Sequence, residues 1–380
     1  MKKIKLMMLA FVAACASLSF VACDSDEKIV EVIKEVKDTV TVTIEDQTNW
    51  ARYQALVTAD VKAHKKNNKV ILLVAFGSTW EQAFDAFDTT IDAFKSSFSG
   101  YDVFLSYSSA ICINRAAAGE NGVTRNYYAP NFWLNAFADE AVRYSEIVVQ
   151  SLQVIPGEEY TRVINYIKDF ANNANGDLDD EYLAGVTLKL GVPLLQDAES
   201  DVAAVAKELN DLYSAKAAEG VVAFMGHGNP DSYDTYKANV RYTQLEEALQ
   251  QYSKNYYVGT VDMMGNFKTH VLARMQANGI LSGKVYCHPL MSIDGDHGHN
   301  DMAGDDDAWN NGFEENEEGE VEDTSWKMYF QHMGYECNNE TMINLGLLEL
   351  PTVRQIWMNH TQDAINGEAL DYYHSKNPEE

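Results

Sequence analysis

The chain has 380 residues, of which 46% are hydrophobic, and its 29 basic and 57 acidic side chains give a formal net charge of −28. A chain of this size and composition can bury a large core, either as one large domain or as two similar lobes. A protein this acidic repels the phosphate backbone, which excludes nucleic acid as a partner.

The N-terminus carries the features of an export signal. Three lysines within the first five residues precede an apolar run that ends near Val21, and this run is short for a membrane span. Small residues before Cys23 and acidic residues after it are typical of a bacterial lipobox, in which Cys23 is acylated; the alternative is an ordinary signal peptide with an incidental cysteine. We expect a signal peptide at residues 1–22 and a cell-envelope lipoprotein, periplasmic or anchored at the outer membrane, that does not span the membrane.

Cysteines outside the signal and the lipobox are few and dispersed. Cys112, Cys287 and Cys337 show no CxxC spacing, which argues against a zinc site and against a disulfide framework. The spacing therefore predicts buried free thiols.

Strands and helices alternate along the first half of the chain, after a lipid-anchored tether at residues 23–48. Val70 to Ala75 is a continuous apolar run, typical of a strand buried on both faces. Aromatic residues from Trp80 to Phe98 recur at helical spacing, with Gly100 as the expected C-cap. The expected elements are helix 49–64, strand 70–75, helix 80–98, strand 102–107, an irregular stretch, helix 131–144, strand 146–152, a helix opened by Pro156 and ending near 172, and strand 186–190.

The second half repeats this alternation. The expected elements are helix 198–214, strand 221–225, helix 236–252, strand 256–261, helix 267–278, strand 284–288, a long acidic loop, helix 326–333, a further strand, and a last helix from Pro351. Such alternation predicts an α/β protein with two similar doubly wound lobes, each built on a parallel sheet. The expected lobes span 49–195 and 196–365, with an acidic insertion at 308–323 and a tail at 366–380.

The two halves also share a weak internal repeat. Ser151–Gly157 aligns with Pro289–Gly295, and each segment follows a late strand of its half. Ligands of open α/β sheets lie beyond the carboxyl ends of the strands. We therefore expect a ligand cleft between the lobes, faced by these two segments and by the residues that follow the opening strands. Those residues are Gly77, Ser78, Gly226 and His227.

His227 is the strongest single candidate for chemistry. It lies between two glycines at a predicted strand end, where the backbone turns sharply and the imidazole stays unshielded, as a metal ligand or proton carrier requires. The alternative is a structural or surface histidine. No GxGxxG, Walker lysine or GxSxG pattern occurs, so the sequence does not support nucleotide binding or a serine hydrolase.

The loop from Ile293 to Asp307 is the densest polar stretch. His297 and His299 lie among several carboxylates that could bind a divalent metal ion. The alternative is a loop whose Asp and Gly residues form turns and in which hydrogen bonds hold His297. Periodicity does not decide between these two interpretations.

Several of these segments together resemble the anaerobic (type II) cobalt chelatases, the sirohydrochlorin cobaltochelatases of the class II chelatase superfamily. The resemblance runs in order over roughly residues 69–365. The matching strings are LVAFGST at 73–79, VVQSLQVIPGEEY at 148–160, LGVPLL at 190–195, MGHG at 225–228, PLMSIDGDH at 289–297, NDMAGDD at 300–306 and SWK at 325–327.

This resemblance implies insertion of a divalent metal ion into a tetrapyrrole held in the cleft. Co²⁺ is the expected metal, with Fe²⁺ and Ni²⁺ as alternatives. In that family two cleft histidines bind the metal and assist proton transfer; one matches His227, whereas the other position is Gln153 here. Glutamine cannot act as a general base near neutral pH and is a poorer ligand than imidazole.

Two principal functions follow. The favoured one is an enzyme in which His227 binds metal and receives a proton, Gln153 orients the substrate, and Glu158, Glu159 or the Asp296/His297 loop offers secondary sites. The alternative is a haem- or tetrapyrrole-binding lipoprotein for uptake, which passes its ligand to an outer-membrane transporter. A metal-binding role of the acidic loop alone is the weaker third hypothesis. The expected tetrapyrrole contacts are Gly77, Ser78, Gln153, Gly226 and His227, and the expected metal ligands are His227 and His297.

Overall fold

The computed structural model describes residues 49–305, 324–370 and 372. Within them two parallel β-sheets are covered by helices, which confirms the predicted α/β class. None of the described helices is long and apolar enough to cross a membrane. The segments of our predictions that lie outside the described residues are the signal peptide at 1–22, Cys23 and the tether at 23–48, the acidic insertion at 308–323, and most of the tail.

The first half contains four strands and the helices between them. The strands are β1 (Lys69–Ala75), β2 (Asp102–Tyr107), β3 (Glu146–Ser151) and β4 (Thr187–Gly191). The helices are α1 (Asn49–His64), α2 (Glu81–Ser97), α3 (Ala110–Ala118), α4 (Pro130–Ala138), α5 (Glu158–Ala171) and α6 (Asp180–Gly185).

The second half contains three strands. The strands are β5 (Val221–Gly226), β6 (Tyr256–Thr260) and β7 (Val285–Pro289). The α-helices are α7 (Ser200–Glu219), α8 (Val240–Leu249), α9 (Lys268–Ala277), α10 (Trp326–His332) and α11 (Pro351–Asn366). Short turns of 3₁₀-helix lie at Asp231–Tyr233 and Leu347–Glu349, and one π-helical turn lies at His297–Met302.

The two sheets have matching strand orders. The first runs β2-β1-β3-β4 and the second β6-β5-β7, and all pairs are parallel. In each sheet the opening strand is central, the second strand lies on one side and the third on the other. This arrangement confirms the prediction of two similar halves. It also places Ser151–Gly157, at the end of β3, in the position that corresponds to Pro289–Gly295 at the end of β7.

The central strand β1 is buried on both faces, as its apolar run predicts. Every residue from Val70 to Ala75 is at most 1% exposed. On one face the aromatic stripe of α2 covers it, and Phe87 and Phe94 of that stripe lie in the same buried cluster as Ile71. Sandwiching between helices explains why hydrophobic residues do not alternate with polar ones along this strand.

Four predicted helix ends are wrong, including the end of α7 at Glu219 rather than 214 and the start of α8 at Val240 rather than 236. Helix α2 ends at Ser97, and Phe98 rather than Gly100 is its C-cap, because Phe98 has φ of −115° and ψ of 55°, which are not helical. Helix α4 ends at Ala138 rather than near Tyr144. The chain then turns through Arg143, whose φ of 40° is left-handed and cannot continue a helix.

Two helices were not predicted, and one predicted strand is reduced. Helix α3 occupies the stretch expected to be irregular, with the Ser109 side chain accepting from the Cys112 N–H as its N-cap. The short helix α6 precedes β4. The strand expected after α10 consists only of isolated bridges from Lys284 to Glu336 and from Cys287 to Met342.

The last helix returns to the first sheet. Helix α11 contacts β3 and β4, although the expected lobe boundary assigned it to the second half. Its Trp357 Nε1 donates to the Gln153 carbonyl at 3.3 Å, and Thr361 Oγ1 donates to Gln150 Oε1 at 2.7 Å. The chain therefore crosses back after the second sheet, and its last helix fixes the end of β3.

The described residues on either side of the 306–323 segment are held together. Ser325 Oγ donates to the Gly304 carbonyl at 2.7 Å. The ammonium of Lys327, only 3% exposed as a residue, donates to the Ala303 carbonyl at 2.6 Å and to Asp305 Oδ1 at 2.8 Å. These contacts bring the two ends of the segment next to each other.

Replacing Thr361 with valine tests the anchoring of α11. The change keeps the shape of the side chain but leaves Gln150 Oε1 without its buried donor, which costs about 1–3 kcal/mol of unfolding free energy. Chemical denaturation measures this loss. Gln362→Ala, on the exposed face of the same helix, is the control and should stay within about 0.5 kcal/mol of the wild type; equal stability of both variants would show that the contact anchors nothing.

Candidate functional site

A cleft of about 340 Å³ opens at the carboxyl ends of β1, β3, β5 and β7. Because both sheets are parallel, the loops that follow these four strands meet there, and helix α3 adds one wall. Apolar side chains form much of the lining, and a few polar groups converge among them. The lining residues are Phe76, Gly77, Ser78, Thr79, Ser109, Ile111, Cys112, Arg115, Gln153, Val154, Ile155, Gly157, Glu159, His227, Gly228, Asn229, Tyr242, Leu290, Met291, Ser292, Ile293, Gly295, Asp296 and His297.

Most residues predicted from the sequence line this cleft. Those that do are Gly77, Ser78, Gln153, Glu159, His227, Asp296 and His297. Gly226 does not, since it faces the ring of Tyr242, and a Cβ there would lie 2.4 Å from that ring. Glu158 instead accepts from the Thr235 N–H at 3.3 Å.

The His227 ring is held in one tautomer. Its Nδ1 lies 2.6 Å from the Gly228 carbonyl oxygen, which can only accept, so Nδ1 carries the proton. Gly228 reaches this position with φ of +79°, a left-handed conformation that favours glycine. Asp262 Oδ2 stands 3.6 Å from the same nitrogen. In the neutral form of the ring, the lone pair is therefore on the other nitrogen, Nε2.

His297 is oriented in the same way by a carboxylate. Its Nδ1 lies 2.5 Å from Asp301 Oδ2, one π-helical turn further along the chain. Burial lowers the pKa of His297, but Asp301, with Asp262 and Asp296, outweighs burial and raises it overall. The His297 and His227 rings meet edge to face, with centroids 4.7 Å apart and an interplanar angle of 82°.

Glu159 lies beside the two histidines at the start of α5. Burial raises the pKa of its carboxyl, and the positive potential of His227, Arg162 and His297 offsets part of that rise. A carboxylate with a raised pKa accepts a proton more readily than an exposed one. Glu159 is therefore a candidate base within the cleft.

Gln153 is fixed with its amide N–H₂ group unused. Its Oε1 accepts a short hydrogen bond from Ser151 Oγ, and the residue is 6% exposed. Among the described residues Nε2 has no hydrogen-bond partner. A buried donor without a partner carries a free-energy cost, which a ligand with an acceptor atom removes.

His299, two residues from His297, does not face the cleft. Its ring stacks on Trp80, with centroids 3.7 Å apart and planes 14° apart, and its Nδ1 bonds the Gly295 carbonyl at 3.0 Å. Trp80 Nε1 also donates to Asp296 Oδ1 at 2.5 Å. This group joins the first half to the loop after β7, so His299 links the halves.

The dense acidic loop does not form a metal cluster in the part of the chain that the structure describes. No group of three or more His, Cys, Asp or Glu side chains there is placed to hold a metal ion. Its histidines point to different surroundings, and Asp301 orients His297. Hydrogen bonds to Asp301 and to the Gly295 carbonyl hold His297 and His299 in these positions.

Sequence reasoning missed two features near the cleft. Arg115, on the unpredicted helix α3, lines the cleft and lies 3.6 Å from Asp296 Oδ2. Asp294 is fully buried, and neither carboxylate oxygen has a hydrogen-bond partner among the described residues. No sequence pattern indicated either feature, because both depend on contacts between distant segments.

Comparisons with known proteins converge on one family. The model of the family described as cobalt chelatase (CbiK) matches residues 69–366. The sirohydrochlorin cobaltochelatase CbiKC of Nitratidesulfovibrio vulgaris is 27% identical over 306 residues, which cover 80% of this chain and 92% of the relative. The sirohydrochlorin cobaltochelatase of Salmonella typhimurium is 26% identical over 302 residues, which cover 78% and 97%.

Among solved structures, SirB from Bacillus subtilis with Fe³⁺ is similar to this chain. The match covers 78% of this chain and 96% of SirB at 15% identity, with a TM-score of 0.46.

The buried Asp294 predicts a specific pH dependence of stability. Burial raises the pKa of its carboxyl from 3.8 to about 6. Ionisation therefore disfavours the folded state, and stability is lost as pH rises from about 4 through 6, by about 3 kcal/mol in all. Asp294→Asn removes this loss, so its stability relative to the wild type should rise over that range in chemical denaturation.

The control for this experiment is Asp363→Asn, an exposed carboxyl on α11. It should follow the wild-type pH profile. A difference between Asp294→Asn and the wild type that stays constant from pH 4 to pH 7 would contradict the assignment.

Proposed function

This chain belongs to the cobalt chelatase (CbiK) family, and we propose that it inserts a divalent metal ion, Co²⁺ first, into a tetrapyrrole bound in the cleft. The observation that carries the proposal is the meeting of His227, His297 and Glu159 in an otherwise largely apolar cleft at the ends of parallel strands. Two relatives named sirohydrochlorin cobaltochelatase support sirohydrochlorin as the substrate.

Metal insertion makes two chemical demands. The ion has to be delivered to the ring nitrogens, and two pyrrole N–H protons have to leave. His227 presents an Nε2 lone pair that can accept a proton or hold the ion, because the Gly228 carbonyl fixes its Nδ1 proton. Glu159, whose pKa is raised by burial, supplies a second proton acceptor near the same place.

Gln153 has a different role from the histidine that the resemblance places there. Its amide can neither accept a proton near neutral pH nor bind Co²⁺ as well as imidazole does. Its unused N–H₂ group can donate to an acceptor on the ligand. We propose that Gln153 orients the tetrapyrrole, and that Gly77 and Ser78, which follow the neighbouring strand β1 and line the same cleft, also contact it.

The glutamine at position 153 also favours a second candidate function. With one family histidine replaced by glutamine, the cleft suits binding of haem or another tetrapyrrole, with His227 as an axial ligand and little or no metal insertion. Such a protein would serve haem or iron acquisition and pass its ligand to an outer-membrane transporter.

We further propose that the protein is an exported lipoprotein of the cell envelope, acylated at Cys23. The lysine-rich start, the apolar run and the small residues before Cys23 support this location. A lipid anchor at Cys23 would leave residues 24–48 as a spacer between the membrane and α1.

Spectroscopy of the purified protein distinguishes the two functions. We expect the wild type to convert sirohydrochlorin and Co²⁺ to the cobalt chelate, and His227→Ala to slow this conversion about 100-fold or more, as loss of an acid–base group does. Visible absorption follows the reaction, and a parallel titration with haem follows the Soret band. Tight haem binding without any conversion of sirohydrochlorin would establish the binding function instead.

Metabolic labelling tests the lipid anchor. In a bacterium that processes lipoproteins, the full chain should incorporate labelled palmitate and sediment with membranes, whereas Cys23→Ser should do neither. Cys15→Ser, inside the expected signal, is the matched control and should keep the label. Equal labelling of the wild type and Cys23→Ser would refute acylation at this residue.

A further inference from the structure

We propose that His297, together with His227, forms the site that receives the incoming divalent metal ion, so that in this chain the second imidazole comes from the loop after β7 and not from position 153. The inference rests on the proposed function, since it concerns the metal substrate of the same cleft. It assigns a two-imidazole site with open positions to residues that approach each other only in the folded chain.

Both rings are held by a hydrogen bond at Nδ1. In both, Nδ1 is bonded to an acceptor that has no proton to give, the Gly228 carbonyl for His227 and the Asp301 carboxylate for His297. Both Nδ1 atoms therefore carry protons, and in the neutral form of each ring the lone pair is on Nε2. Neutral imidazoles oriented by a hydrogen bond at the far nitrogen are the usual form of metal-ligating histidine.

The distance between the two rings suits a shared metal ion. Imidazole nitrogens bind divalent ions such as zinc at about 2.1 Å, so two rings on one ion with tetrahedral angles have their centres about 5 Å apart. The observed separation of the His227 and His297 centroids is 4.7 Å. The two rings therefore already lie at the separation that two imidazoles on one ion have.

The two rings are not part of a closed set of metal ligands in the described residues. No third His, Cys, Asp or Glu side chain among the described residues completes a closed set of ligands around the two rings. A closed tetrahedral site retains its metal, whereas a site with open positions exchanges ligands. A metal ion that has to pass from the protein to the four nitrogens of a tetrapyrrole requires a site with open positions. Two imidazoles with the remaining positions open to water meet this requirement.

The orientation of the Gln153 side chain agrees with a site in which His297, and not residue 153, supplies the second imidazole. Its carbonyl oxygen Oε1 is occupied by the Ser151 hydroxyl, and only its N–H₂ group is unused. A metal ion is not bound by a protonated amide nitrogen, so this side chain contributes no ligand in the observed orientation. Asp301 acts as a positioning residue, because its carboxylate orients His297 without facing the ion.

The test is Co²⁺ titration of the protein without any tetrapyrrole, followed by visible absorption and calorimetry. Since loss of an outer partner of a ligand already weakens metal affinity about 10–100-fold, loss of either ligand should cost about 100-fold or more. We therefore expect this loss for His227→Ala and for His297→Ala, and about 10-fold or more for Asp301→Asn. His299→Ala is the matched control from the same loop, whose ring stacks on Trp80, and should bind as the wild type does.

X-ray absorption of the Co²⁺-loaded wild type gives a second reading that does not depend on any variant folding. Scattering from two imidazoles supports the proposal; one imidazole or none overturns it. Wild-type affinity in folded His297→Ala also overturns it. Because these measurements omit the tetrapyrrole, they decide the metal site even if the wild type fails to convert sirohydrochlorin, which would refute the proposed function alone.

Discussion

Parallel pairing of every described strand is the constraint on which the cleft depends. A parallel sheet sends the carboxyl ends of its strands to one edge, so the loops after β1, β3, β5 and β7 meet although up to about two hundred residues separate them in the chain. The polar groups of the site lie on these loops, while the buried strands fix where each loop starts. Helix α11, near the end of the chain, donates a hydrogen bond to the Gln153 carbonyl.

The sequence predicts the framework well because local patterns report burial. The apolar run of β1 and the aromatic spacing of α2 are direct consequences of packing between layers. The two glycines around His227 likewise indicate a sharp turn at a strand end. In contrast, α3 is short and has few long apolar side chains, so its existence, and with it the place of Arg115, rests on tertiary contacts that periodicity does not record.

His297 and His299 show most clearly what the sequence could not decide. They are two residues apart in the same acidic loop, and periodicity does not indicate which surroundings each one has. The π-helical turn sends one ring to His227 and the other onto Trp80, a residue more than two hundred positions away. A resemblance to a family names positions such as 153 and 227, but only the folded chain shows which other side chains lie beside them.

The joined ends of the 306–323 segment have a practical consequence. Ser325 and Lys327 hold the chain together at residues 304 and 305, and doubling the length of a flexible insertion between two such joined points costs only about 0.6 kcal/mol. This junction is therefore a natural graft point. An epitope, a fluorescent protein or an affinity module could be spliced in there, which would turn the protein into a display scaffold while both sheets stay intact.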